Sequence, residues 1–203
     1  MKKSAVLSLV VLVLLAGCAL RPPRVSLEPL GTVGLVGFRT TAKGKIAAYA
    51  GQIFVEVLTK SQPGVRIKEL GPEETVLGDV GADRPTPEAL AAIAKKFGVE
   101  AVFFGSLQTS DIKPRINIAS IITSATASAD VEALLSAKLF DTRDGATLWA
   151  GSARDRRSVG QISIFKGGGI FFDARDPEEA YGDLVRTLVH EATRDFQWRR
   201  RMW

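Results

Sequence analysis

Cys18 is the one thiol in the chain and His190 its one imidazole. A lone thiol cannot close a disulfide within the chain, and one cysteine with one histidine cannot furnish the ligand set of a zinc site. Cys18 can still be alkylated or acylated at sulfur. His190 would need a nucleophile aimed at it for acid–base work. It falls instead on a helix, beside an apolar stripe and next to Glu191, and Gly105-Ser106-Leu107 lacks the GxSxG elbow. Gly31, Gly34 and Gly37 are spaced GxxGxxG, not as the dinucleotide fingerprint. Residues 37–45 miss the P-loop spacing, and Ile46 stands where Ser or Thr would hold magnesium. Gly167-Gly168-Gly169 reads as a turn. Glu73-Glu74 reads as loop surface, and Glu178-Glu179 suits a helix start. With no assembled site, the expectation is a protein that is not an enzyme and takes no metal or diffusible cofactor.

The residues around Cys18 carry the sharper signal. Met1-Lys2-Lys3 is basic, and residues 5–16 are uncharged and almost wholly apolar, the layout of a secretory signal. The uncharged stretch 4–20 falls short of the about 20 residues of a spanning helix. Leu15-Ala16-Gly17-Cys18 resembles the lipobox of bacterial lipoproteins. The resemblance implies a diacylglyceryl group on the Cys18 sulfur, cleavage before it by signal peptidase II at the small residues Ala16 and Gly17, and an N-acyl chain on the new amine. Two or more acyl chains hold a protein stably on a bilayer where one does not. Ala19, in place of the aspartate that retains proteobacterial lipoproteins at the inner membrane, implies the outer membrane, with the domain facing the periplasm.

The remainder reads as one globular domain. Of 203 residues, 46% are hydrophobic and 24% charged, with 27 Lys+Arg against 22 Asp+Glu. Residues 18–30, with Pro22, Pro23 and Pro29, read as a tether behind the lipidated cysteine. Residues 31–38 form a short buried strand, and 46–60 switch to helical spacing. Residues 65–70 alternate as a strand, and 71–85 read as loop. Thr86, Pro87 and Gly98 bracket a helix, and strands follow at 99–107 and 131–140. Thr142-Arg143-Asp144-Gly145 turns the chain into a hairpin with 146–153. Asp176, Pro177 and Glu179 open a last helix. The order β-α-β-α-β-β-β-α predicts an α/β sandwich, with helices packed on a mixed sheet.

Two segments exceed what that core needs. Residues 116–129 hold no charge, and Ile116, Ile118 and Ile122 share one parity. Residues 158–173 place Ile162 and Ile164 on one parity, then turn and return through Ile170-Phe171-Phe172. Such alternation fits soluble strands or membrane hairpins, and each segment is short of the about 20 residues of a spanning hairpin. Arg154, Arg156 and Arg157 form one basic cluster and Arg199-Arg200-Arg201 another, the latter flanked by Trp198 and Trp203. Nucleic acid is not expected as a partner of an exported chain.

With the lipobox, the passage Phe97-Gly98-Val99-Glu100-Ala101-Val102-Phe103-Phe104-Gly105-Ser106 and the turn before Leu148-Trp149, the chain resembles the CsgG-type lipoproteins, the family of the curli secretion channel. The resemblance covers residues 31–196. It implies a 31–198 domain followed by a 199–203 tail, with membrane lipid and envelope or secretion proteins as partners. It also implies a homo-oligomeric channel whose hairpins form at the two Ile-rich segments. The same domain resembles lipoproteins that form no pore, such as activators of peptidoglycan synthases. That leaves a monomeric or dimeric periplasmic regulator as the alternative.

Overall fold

The computed structural model describes residues 23–115, 127–164, 170–172 and 176–198. Eight strands form one sheet: β1 (Thr32–Gly37), β2 (Arg39–Thr40), β3 (Lys43–Gly44), β4 (Arg66–Pro72), β5 (Ala101–Arg115), β6 (Ala127–Asp141), β7 (Thr147–Ile164) and β8 (Ile170–Phe172). The sheet is ordered β3-β8-β7-β6-β5-β1-β4, with β2 beside β5. β1 pairs in parallel with β4 and β5, whereas β5, β6, β7 and β8 pair antiparallel in chain order. Among the described residues, four α-helices accompany the sheet: α1 (Ile46–Ser61), α2 (Glu73–Gly78), α3 (Pro87–Phe97) and α4 (Pro177–Ala192). It is a mixed α/β architecture. None of the described helices is long and apolar enough to cross a membrane.

Strand alternation feeds two cores. Ala101, Phe103 and Leu107 of β5 face α1 and α4, together with Val131 to Leu139 at every second position of β6. Val102 and Phe104 face the other way, onto α2 and α3 with Val76, Leu90 and Ile93. β5 is therefore buried on both faces where it starts, as a central strand must be. Phe54 and Phe103 meet edge to face at 5.2 Å, and Phe196 sits 4.6 Å from the Trp149 ring.

The helix signals act as their chemistry requires. Thr86 Oγ1 accepts from the Ala89 N–H, and Gly98 ends α3 in the left-handed region at φ 67°. Asp176 accepts from the N–H groups of Glu178 and Glu179 at the start of α4. Gly151 of β7 is required by close approach: a methyl there would meet the Trp149 ring and the Ala192 carbonyl oxygen.

Three features differ from the sequence reading. Residues 73–78 are helix rather than loop, because Val76 and Leu77 are buried beneath α3 while Glu73 and Glu74 occupy the first turn. A helix this short shows no period in a sequence. β7 extends to Ile164, well beyond the expected end at 153, because β6 pairs with it as far as Ile162. The stretch read as tether is docked from Val25 onward, and Leu27 is wholly buried.

A single side chain fixes that docking. Gln62, 4% exposed at the end of α1, accepts from the Leu27 N–H at 2.9 Å. Its amide nitrogen donates to the Val25 carbonyl at 3.1 Å and the Phe196 carbonyl at 2.7 Å. The Val25 N–H donates to the Asp195 carbonyl at 3.0 Å. Gln62→Leu strands these buried backbone groups and should cost about 2–3 kcal/mol. Chemical denaturation measures the loss, and limited proteolysis should cut first near Val25.

At the opposite end of α1, Tyr49 hydrogen-bonds Glu178, whose carboxylate also receives Arg186 Nε at 2.8 Å and an Arg186 terminal nitrogen at 2.7 Å. The Arg186 bonds, then the Tyr49 bond, hold the Glu178 carboxyl down at about 2. Burial, then the same carboxylate, pushes the Tyr49 hydroxyl up to about 12. A lowered carboxyl stabilises the fold above its unfolded value of 4.5 and loses that effect as pH falls toward about 2. Solvent screening keeps the effect small, since Glu178 is 53% exposed. The stability gap between wild type and Glu178→Gln, read from denaturation midpoints, should narrow over that acid window.

Candidate interaction surface

The carboxyl ends of β1, β4 and β5 mark one end of the domain. β7 reaches its last residues there too, since Arg115 pairs with Ser128 and Ala127 with Ile162. β8 returns antiparallel, with Ser163 opposite Phe171 and Ile164 opposite Ile170. Ile162, Ile164 and Phe171 therefore lie in neighbouring strands at this end. Ile116, Ile118 and Ile122 lie outside the described residues, but their segment leaves β5 and enters β6 at the same place. The two Ile-rich segments, 116–129 and 158–173, thus open side by side from adjacent strands. Alternation within each segment carried no sign of this neighbourhood, because it is set by the register of the long strands.

A crevice of about 850 Å³ opens at the same end, over the carboxyl edge of β1 and β4 and the first turns of α1. In open α/β sheets this is where strand order reverses and ligands settle. β1 feeds β4 on one side through α1, and β4 feeds β5 on the other through α2 and α3. Phe38, Leu77 and Ala82 give the crevice apolar walls. Among the described residues, Glu69, Glu73, Glu74 and Asp83 face it against one cation, Arg39, which lies 3.5 Å from Glu73. An acidic lining repels phosphate groups and accommodates a basic or hydrogen-bond-donating segment. Residue spacing had left this crevice unseen, because its carboxylates come from β4, α2 and the following loop.

Among the described residues, one sheet face is left uncovered. α2 and α3 cover the β1–β5 side, so on β6 and β7 the face turned away from α1 and α4 stands open. Ser106, Ser136 and Ser152 form a row across three strands, in register. Arg154 meets Glu132 at 3.0 Å and Arg156 meets Asp130 at 3.8 Å on this face. Arg157 points to the other face, pairing with Asp155 at 2.8 Å and reaching Thr187 of α4 at 3.3 Å. The three arginines expected as one basic cluster are therefore divided between two faces by the pleat, and each is ion-paired.

The other residues singled out for chemistry lie apart. His190 is exposed on the last turn of α4, with Nδ1 3.5 Å from the Gln197 side-chain oxygen, and Gln197 donates to the His190 carbonyl at 2.8 Å. That is a helix-end contact without a nucleophile. Among the described residues no group of three or more His, Cys, Asp and Glu could hold a metal ion. Leu15, Ala16, Gly17 and Cys18 lie outside the described residues. The chain they belong to joins the domain at Val25, at the end opposite the crevice.

No family model matches the chain, and no curated protein matches it. Solved structures of similar fold include the PelC dodecamer from Paraburkholderia phytofirmans, at a TM-score of 0.48 and 13% identity over 89% of this chain and 96% of that one. They also include lipoprotein GNA1162 from Neisseria meningitidis, at 0.40 and 16% over 63% and 83%. The C-terminal domain of LpoB from Salmonella enterica is similar at 0.40 and 17% over 66% and 86%.

Proposed function

We propose that the chain is a lipid-anchored, non-enzymatic lipoprotein of the bacterial outer membrane. In this reading its α/β domain binds protein partners in the periplasm, as a regulator of envelope assembly. The observation that carries it is the separation of the two ends of the domain. Val25 is pinned at one end through Gln62 and Asp195. Seven extended residues from Cys18 to Val25 reach at most about 25 Å, so that end stays close to the bilayer. The Ile-rich segments leave the far end of β5, β6 and β7. At about 3.4 Å per residue, β5 carries Arg115 about 48 Å from Ala101. The far end, with the acidic crevice beside it, then faces the periplasm and its proteins.

A CsgG-like oligomeric channel is the second reading. It is favoured by the side-by-side emergence of the two segments from adjacent strands. Each segment taken alone is short of the about 20 residues of a spanning hairpin, which supports the regulator.

Cys18→Ser should release the protein from the membrane fraction or strand its uncleaved precursor. Unchanged maturation and fractionation would refute the lipid anchor. Detergent-extracted protein should run at the mass of a monomer or dimer, whereas a ring-sized species would select the channel. Charged residues at Ile118 and Ile164 should leave the regulator folded and membrane-anchored.

A further inference from the structure

The two walls of the crevice over β1 and β4 differ in character. The wall given by α1 is uncharged. Ala48 and Gly51, three apart on that helix, bring no long side chain to it, and Phe38 is buried beside them. A methyl built on Gly51 would meet nothing within 4 Å, so the space above it is open. The wall given by α2 and the loop after it is acidic, with Glu73, Glu74 and Asp83, and Glu69 of β4 joins them. Glu69, Glu74 and Asp83 are exposed and make no ion pair with a described residue. Glu73 is the most buried of the four, its side chain 13% exposed, and it takes the Arg39 guanidinium at 3.5 Å. Arg39 is itself 70% exposed. A pair so long and so wet contributes little and is readily exchanged.

We propose that the crevice seats an extended protein segment that carries a lysine or arginine next to an apolar side chain. The inference deepens the binding role proposed above and rests on it. The carboxylates repel partners that present phosphate, lipid headgroups and nucleic acids among them. Spacing disfavours a metal ion, since among the described residues no three such groups gather closely enough to hold one. The lining asks instead for a cation with apolar surface attached. In an extended segment neighbouring side chains point to opposite sides. The cation then reaches Glu73, Glu74 and Asp83 while its apolar neighbour turns to the open space over Gly51. The incoming cation takes the place that Arg39 holds on Glu73.

Random heptapeptides displayed on phage, selected on the full-length protein in detergent, read the preference without presupposing a partner. Enriched sequences should place Lys or Arg directly beside Leu, Ile, Val, Phe or Met. A synthetic copy of the most enriched sequence is then followed by fluorescence anisotropy. It should bind about tenfold more weakly when Glu69→Gln, Glu74→Gln and Asp83→Asn are combined, which is three exposed pairs at ordinary strength. Gly51→Leu fills the open space and should abolish binding. Arg39→Gln removes the competitor for Glu73 and should tighten it. Denaturation midpoints report folding, and the exposed carboxylate changes keep the test decisive whatever Gly51→Leu does to the helix. No enrichment, an acidic or charge-free consensus, or binding that survives either the carboxylate changes or a folded Gly51→Leu variant overturns the proposal. Weaker binding by Arg39→Gln overturns it as well. Spermine that displaces the peptide at equal concentration would reveal a site for charge alone, and self-association abolished by the same substitutions would place a second copy in the crevice; both contradict it. The membrane fractionation of Cys18→Ser is independent of all these readouts, so a failed crevice and a failed lipoprotein reading give different results.

Discussion

One buried amide holds the two ends of the described chain together. Gln62 terminates α1, and its side chain takes up a backbone N–H from the incoming segment and carbonyls from both the incoming and outgoing segments. A backbone group buried without a partner costs as much as several favourable contacts return. The amide therefore specifies where residues 25–27 and 196 must lie, and Leu27 and Phe196 complete the core only when they lie there. Everything inferred about orientation follows from this constraint. The incoming and outgoing segments share one end, and the strand ends with the crevice take the other.

The sheet divides labour along its width. Around β1 and β5 it is covered on both faces and acts as a rigid floor. Across β6 and β7 only the α1 and α4 side is covered, and the open face carries small residues and cross-strand ion pairs. Such pairs contribute little to stability at a surface, but they oppose uncontrolled sheet stacking. Such a face, wet, charged and in fixed register, suits the binding role proposed above. The crevice differs in being concave, partly apolar and acidic, the features of a site for one preferred segment rather than for water.

Much of the fold was legible because its signals are local. Thr86, Pro87 and Gly98 announce α3, Asp176 and Pro177 announce α4, and Thr142 to Gly145 announce the hairpin. What stayed hidden depends on partners distant in the chain. The helix at 73–78 exists because α3 covers Val76 and Leu77. The docking of Leu27 depends on Gln62, 35 positions away. Arg154 and Arg157 look alike in sequence, and only strand pairing sends them to opposite faces. The crevice was missed for the same reason, its carboxylates being gathered from separate elements, whereas the Ile-rich segments were visible as oddities whose adjacency was not.

In the proposed function the end of the domain near Gln62 faces the membrane and the crevice end faces away. α1 runs between these ends, with Lys45 and Lys60 exposed at its two extremities, about 22 Å apart at 1.5 Å per residue. Energy transfer from a fluorophore at either position to acceptor-labelled lipid headgroups, in full-length lipid-anchored protein, reads the orientation directly. The account predicts stronger transfer from position 60 than from position 45. Equal transfer, or stronger transfer from position 45, would contradict it.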